Sequence, residues 1–283
     1  MAALAAAMEE EAALFPDSPE NSSPSDGWRL FGRPFFGFAA GDDPAWLSVR
    51  KAVGANSWTP LEAFRAGKPG SAATAAELTV AVAVFPQTPE TVADQATASG
   101  LPGRRWITSR FFHGRAANGL MLRLSARLEA LGAECSLPDL APGFSSGPRP
   151  GGISSSWSHR HAAWVAGLGT FGLSGGLITR AGIAHRLGSV VLRARVTPTP
   201  RAYAGFRDWC LFFGSGICGK CASRCPAGAI GPKGHDKALC KGFLDSTVKP
   251  WAAKRFPDMP GAYGCGLCQS AVPCASRAPL PRT

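Results

Sequence analysis

The stretch that decides the fold of the C-terminal part is CLFFGSGICGKCASRCPAGAI, residues 210–230, which carries four of the nine cysteines in the chain. Its spacing is Cys-x7-Cys-x2-Cys-x3-Cys-Pro. Further on, Cys240 stands alone and the stretch YGCGLCQSAVPC, residues 263–274, adds three more. Eight of the nine cysteines therefore lie within residues 210–274. We expect a separate cysteine-rich domain over residues 206–283.

The cysteine spacing predicts two iron–sulfur sites with four ligands each. A Cys-x2-Cys turn directs two thiolates to one [4Fe-4S] cluster, whereas the Cys three residues later, which precedes proline, serves a second cluster. The first cysteine set predicted by this interleaving is Cys210, Cys218, Cys221 and Cys274. The second cysteine set is Cys225, Cys240, Cys265 and Cys268.

Two other interpretations of these thiols stay open. Two zinc sites of four thiolates each also use Cys-x2-Cys pairs, and a disulfide framework is a further alternative. The Cys225-Pro226 pair favours iron–sulfur ligation, because zinc ribbons do not need it. The ninth cysteine, Cys135, lies far upstream, and we expect it to be a half-buried free thiol.

Length and composition describe a loop-rich globular protein. The 283 residues, 29.4 kDa, are 45% hydrophobic and 17% charged, with 34 Gly and 24 Pro, which excludes a wholly disordered or coiled-coil chain. The longest apolar run, residues 78–85, is less than half the length needed to cross a bilayer. The N-terminal residues lack a positively charged region and carry Glu9, Glu10 and Glu11 where a signal peptide would be apolar. We therefore expect a cytoplasmic protein without a membrane partner.

Charge is distributed unevenly around a formal net charge of +11. Residues 1–26 contain six acids and no base in a Pro- and Ser-rich context, which predicts a disordered acidic tail. Residues 140–207 contain no acid but eight arginines. Such a segment suits phosphate-bearing partners, and a merely basic surface is the alternative.

Hydrophobic patterning predicts an α/β domain over residues 27–205. Residues 77–85 read as a central strand, and leucines at helical spacing predict a helix over residues 117–131. A short helix should follow Ser158, and residues 177–179 and 188–196 are expected to form a hairpin-like pair of strands. We expect an α/β (α+β) fold: a mixed sheet with flanking helices, followed by a small ferredoxin-like domain.

The segment SWSHRHAAWVAGLGTFGLSGGLITRAGIAHRLGSVVL, residues 156–192, together with the cysteine motifs, resembles the epoxyqueuosine reductase family and the related corrinoid reductive dehalogenases. The resemblance covers about residues 28–280. The Cys-x7-Cys spacing looks like the divergent subgroup of double-cluster ferredoxin proteins.

The resemblance implies a cobalamin-binding α/β domain whose cofactor is reduced by the two clusters, and tRNA as a candidate partner. It implies corrinoid contacts from the glycine-rich turn and one arginine: Gly167, Gly169, Gly172 and Arg186. Plain turn chemistry is the alternative for the glycines.

The chain departs from the family where a catalytic Asp is expected. In the family this Asp precedes the helix that leads to the turn beginning at Ala166. The corresponding position in this chain is near Ile153, which is followed by Ser154, Ser155 and Ser156. His161 is a weak candidate for the missing proton donor, because imidazole titrates near neutrality. His159 is expected to cap a helix or face solvent.

These observations predict an iron–sulfur oxidoreductase that passes electrons through two clusters to a cofactor, cobalamin, or to a substrate in the α/β domain. The alternative is a ferredoxin-like electron-transfer protein that serves a partner enzyme and has no substrate of its own. A basic tRNA-binding protein with structural clusters is a third reading. A flavodoxin or ferredoxin is the expected electron donor.

Overall fold

The computed structural model describes residues 2–149 and 152–279, and the side chains of Pro148, Arg149 and Gly152 are outside this description. The helices are α1 (Ala2–Leu14), α2 (Ala45–Val53), α3 (Pro60–Gly67), α4 (Pro89–Thr97), α5 (Arg104–Phe111), α6 (His113–Ala130), α7 (His159–Val165), α8 (Leu211–Ser215), α9 (Lys220–Ser223), α10 (Lys237–Phe243) and α11 (Lys249–Arg255). The strands are β1 (Phe35–Ala40), β2 (Leu78–Pro86), β3 (Cys135–Ser136), β4 (Ser146–Arg149), β5 (Gly152–Ser155), β6 (Gly169–Phe171), β7 (Leu177–Thr179), β8 (His185–Arg193), β9 (Ile230–Gly231) and β10 (Gly234–His235).

The main sheet has four strands in the order β1-β2-β8-β3. Its central strand β2 is buried on both faces, because alternate side chains enter two different cores. Val80, Val82 and Val84 pack on the side of α2, α3 and α7. Ala81 and Phe85 pack on the opposite side, against α6 and the N-terminal helix α1. The sheet therefore separates two apolar layers, and the predicted combination of helices and sheet is confirmed.

Strand directions differ from the predicted mixed sheet. Every neighbouring pair in the main sheet, β1 with β2, β2 with β8 and β3 with β8, is antiparallel. The predicted hairpin of residues 177–179 and 188–196 is also wrong, because β7 pairs with β6 instead. The glycine at 169 allows this pairing, since a Cβ there would lie 2.0 Å from the Ile178 carbonyl oxygen.

The N-terminal segment corrects the prediction of a disordered tail. Residues 2–14 form α1, and Met8 and Phe15 are almost completely buried against α6 and the sheet. Two of the acids help to hold α1 against α6, because Glu11 pairs with Arg123 at 3.3 Å and Glu10 pairs with Arg127. The acidic residues thus bind the basic face of α6.

The cysteine-rich part packs directly on the α/β part. The Ile183 amide donates to the Cys274 carbonyl at 2.8 Å, and a Cβ on Gly266 would lie 1.9 Å from Nε1 of the buried Trp106 on α5. The boundary near residue 205 stays a prediction. Within the described residues, no helix combines the length and the apolar character that a bilayer crossing requires.

Candidate functional site

Short elements place the cysteines of residues 210–274. Cys210 precedes α8, Cys221 lies within α9, and Cys240 lies within α10. Gly266, with a φ of 64°, begins the 3-10 turn that carries Cys268. The elements are too short to be stable alone, so the thiols depend on packing against the rest of the chain for their position.

The first cysteine set lies together around one apolar cleft. Its four members line this cleft with Leu173, Ile178 and Ile183. Burial raises the pKa of Cys221 to about 11, and the neighbouring Cys210 and Cys218 raise it further. Burial likewise raises the pKa of Cys274 to about 12, with contributions from Cys221, Cys210 and Cys218. The four predicted ligands thus act on one another electrostatically.

The second cysteine set also lies together. Burial raises the pKa of Cys265 to about 11, and Cys225 and Cys240 add to this effect. Burial raises the pKa of Cys268 strongly, and the other members contribute together with Cys221 of the first set. The two sets therefore adjoin where Cys268 approaches Cys221.

The donors present fit the iron–sulfur group that the spacing implies. All nine thiols are free of disulfides. The Ala229 amide donates to Cys225 Sγ at 3.3 Å, an N–H···S bond of the kind that stabilises cluster ligands. Within residues 2–149 and 152–279, no three His, Cys, Asp or Glu side chains form a group that could hold a single metal ion. Cys135 lies apart as the first residue of β3. It is a free thiol as predicted, but it is buried in the core and not half-buried.

The four residues that the resemblance assigned to a corrinoid have four different surroundings. Gly172 lines a cleft of about 760 Å³, which we call the large cleft; it is lined by Arg160, His161, Phe171, Gly172, Phe206, Arg207, Lys237 and their neighbours. Gly167 packs against the backbone at Pro200, and Gly169 packs against β7. Arg186 lines a second cleft. Gly172 and Arg186 thus line different clefts, and the role of all four residues toward a corrinoid stays a prediction.

His161 lies in the large cleft in a neutral form. Burial, with Arg160 and Lys237 nearby, lowers its pKa to about 3. Its Nδ1 lies 2.8 Å from the Oγ of Ser158, and this hydroxyl caps no backbone amide of α7. At neutral pH the ring is therefore the neutral imidazole, whose remaining N–H is only weakly acidic, and this does not favour His161 as the missing acid. Its catalytic role stays a prediction.

The second cleft, of about 390 Å³, contains most of the remaining histidines. We call it the histidine–arginine cleft; its charged and titratable lining residues are Arg110, His113, His159, Arg160, His185 and Arg186. Burial and then Arg110 lower the pKa of Arg186 to about 9, whereas Cys268 opposes this effect. The guanidinium of Arg186 lies 5.5 Å from the ring centre of Trp106.

Asp139 is a candidate acid that the sequence reasoning missed. It lies one residue before the acid-free segment, and its Oδ2 is 3.6 Å from His159 Nε2. His159 Nδ1 is 2.9 Å from Ser189 Oγ, which also accepts from Trp157 Nε1. Burial would raise the pKa of Asp139, but the hydrogen bond from His159 lowers it overall. No spacing signal connects residue 139 with residue 159, because the two side chains meet only in the folded chain.

Comparison with known proteins shows similarity of fold. No family model and no curated protein matches the chain. A tagged catabolic reductive dehalogenase matches with 15% identity and a TM-score of 0.51, over 96% of this chain and 36% of that chain. The chain shares the fold of this dehalogenase. The predicted similarity to corrinoid dehalogenases is therefore confirmed at the level of fold.

Epoxyqueuosine reductases are also among the similar structures. The enzyme from Streptococcus thermophilus matches with 16% identity and a TM-score of 0.49, over 87% of this chain and 64% of that chain. An epoxyqueuosine reductase solved with a tRNA-Tyr epoxyqueuosine-modified stem loop matches with 15% identity and a TM-score of 0.45, over 95% of this chain and 65% of that chain. The chain thus spans about a third of the dehalogenase and less than two thirds of the reductases.

Proposed function

We propose that the protein is an iron–sulfur oxidoreductase in which two [4Fe-4S] clusters pass electrons to a cofactor or substrate in the α/β domain. The observation that carries this proposal is the grouping of eight cysteines into two adjoining sets of four. Their partition agrees with the interleaving expected of two-cluster ferredoxins. The neighbouring folds, which belong to reductases, support the general class.

Each cysteine set is next to a cleft of the α/β domain. Gly172 and Leu173 line both the large cleft and the cleft formed by the first cysteine set. Arg186 of the histidine–arginine cleft lies near Cys268 of the second set. Clusters bound at these sets would supply low-potential electrons one at a time. We infer that electrons leave the clusters through these shared residues.

Side chains of the clefts would assist the reduction of a bound cofactor or substrate. The Arg186 guanidinium places positive charge beside Cys268 and so favours the negative charge that reduction adds. His159 Nε2 lies 3.6 Å from Asp139 Oδ2, and this pair is the proposed proton source for a reduction that takes up protons. Apolar residues around the first set, Ile178 and Ile183, exclude water from the thiols.

No step is assigned to cobalamin, because Gly172 and Arg186, which the resemblance implies for it, line different clefts. A second candidate function follows from this observation: an electron-transfer protein that serves a partner enzyme. We propose a flavodoxin or ferredoxin as the electron donor, a tRNA as a candidate partner, and the reducing cytoplasm as the location, which suits nine free thiols.

Cysteine substitutions test the cluster proposal. In anaerobically prepared protein we expect about eight iron atoms per chain, and Cys221→Ser and Cys265→Ser should each lose about half of them. Cys135→Ser is the matched control and should keep all its iron, because Cys135 belongs to neither set. Iron and sulfide analysis, with electron paramagnetic resonance after reduction, measures the outcome. Colourless protein that contains zinc, or variants that all keep full iron, would contradict the assignment.

A further inference from the structure

We propose that the histidine–arginine cleft binds the phosphate monoester group of an organic substrate. The inference rests on the proposed function in one respect, namely that the bound molecule is the one reduced there. The cleft holds a volume of about 390 Å³, which is at the lower end of the sizes known for small-molecule sites. It is also next to the second cysteine set through Arg186 and Cys268.

Positive charge in this cleft exceeds negative charge. Among residues 2–149 and 152–279, Arg110, Arg160 and Arg186 form no ion pair with a carboxylate. Arg110 donates to the Tyr263 hydroxyl at 2.9 Å, and Arg186 donates to the His185 carbonyl at 3.1 Å. Asp139 is the carboxylate near these groups, and His159 faces it. A bound anion would supply the missing negative charge.

Several buried polar atoms around the cleft have no hydrogen-bond partner. They are His113 Nε2, His185 Nδ1, Arg186 Nε and Gln269 Oε1. Buried polar atoms are ordinarily hydrogen-bonded, and an unmade bond destabilises the fold. Their concentration in the lining of one cleft therefore points to a ligand that completes these bonds.

The chemistry of these atoms favours a phosphate with a hydroxyl group nearby. Arg186 Nε is a donor, and guanidinium groups bind phosphate oxygens in pairs. His185 Nε2 lies 2.8 Å from the Leu177 carbonyl, so it carries the hydrogen and leaves Nδ1 as an acceptor. A dianionic monoester matches several arginines better than a singly charged diester does, and a hydroxyl on the same molecule would donate to His185.

Calorimetry on the cluster-loaded full chain in phosphate-free buffer tests the proposal. The probes are ribose 5-phosphate, inorganic phosphate and dimethyl phosphate, a diester that stands for a nucleic acid or a cofactor tail. We expect ribose 5-phosphate to bind saturably and more tightly than dimethyl phosphate. Arg110→Gln and Arg186→Gln should each weaken its binding at least about tenfold. Arg195→Gln, at an exposed arginine two residues after β8, is the matched control and should change binding less than twofold.

Unchanged affinity in both cleft variants, absence of saturable binding, or equally tight binding of dimethyl phosphate would overturn the proposal. Iron is measured on every sample, so loss of the clusters is recorded separately from loss of the anion site. One further outcome would also overturn the proposal: Arg186→Gln loses affinity for ribose 5-phosphate only in proportion to its lost iron, while Arg110→Gln and Arg160→Gln bind ribose 5-phosphate normally. Arg186 would then support the second cysteine set and not an anion site.

Discussion

At the scale of single residues, His161 shows how packing decides what an imidazole can do. Its ring lies 4.7 Å from the ring of Phe171 and 6.1 Å from that of Phe206. Burial among these rings is the main cause that lowers its pKa to about 3, and Arg160 and Lys237 act in the same direction. The residue type indicated a proton donor, whereas its surroundings keep it neutral.

This shift makes stability depend on pH through His161. The pKa in the folded state is below the ordinary value of 6.5, so the unfolded state binds the proton preferentially. The stabilising contribution is complete above about pH 6.5 and declines as the pH falls toward 3. Between pH 8 and pH 5 we expect wild type to lose about 2 kcal/mol more stability than His161→Gln. Urea denaturation at both pH values measures this difference, and parallel losses in the two proteins would contradict it.

At the scale of secondary-structure elements, α1 is the clearest case of an element placed by its partners. Its sequence is rich in Ala and Glu and has almost no amphipathic character of its own. Phe15, directly after α1, is fully buried and contacts Phe85 of β2 edge to face at 5.2 Å. Pairing of Glu11 with Arg123 holds the same helix on α6. Long-range contacts thus order a segment whose composition predicts disorder.

Two neighbouring substitutions test this packing. Phe15→Ala should lower the free energy of unfolding by about 3–5 kcal/mol, because it leaves a cavity beside the sheet. Leu14→Ala is the matched control, since Leu14 is 64% exposed, and it should change stability by less than about 0.5 kcal/mol. Chemical denaturation measures both. Equally small effects would mean that the segment is a mobile tail, as its composition suggests.

At the scale of the whole molecule, the clefts and the cysteine sets form a continuous arrangement. The large cleft meets the first set at Gly172 and Leu173, and the histidine–arginine cleft meets the second set at Arg186. Cys268 and Cys221 connect the two sets. The large cleft, of about 760 Å³, has about twice the volume of the histidine–arginine cleft, of about 390 Å³. A cofactor as large as a corrinoid is therefore best sought in the large cleft.

Titration of anaerobic, cluster-loaded protein with cobalamin separates the two candidate functions. A saturable shift of the cobalamin absorption spectrum at stoichiometric cofactor would favour an oxidoreductase that uses cobalamin in the large cleft. Ala52→Trp should abolish the shift, because Ala52 lines the large cleft and a bulky side chain would obstruct it. Ala55→Trp, on the exposed loop three residues later, is the control and should bind normally. Absence of any shift in wild type would leave an electron carrier whose partner enzyme must be found.

The sequence by itself determined the features that depend on local pattern and spacing. The run of residues 78–85 predicted the central strand, and the repeat of Leu120, Leu124 and Leu128 predicted α6. Cysteine spacing predicted the two sets whose members lie together, although their metal content stays a prediction. These signals are readable because period and spacing are properties of neighbouring residues.

Only the tertiary structure decided which distant segments meet. The pairing of β7 with β6, the antiparallel course of the sheet and the docking of α1 all depend on contacts between segments far apart in sequence. The same holds for Asp139 beside His159 and for the gathering of Arg110, His113 and Arg186 around one cleft. Such contacts cannot be predicted from composition or local spacing, because a side chain becomes buried, or comes close to a distant charge, only when the chain folds.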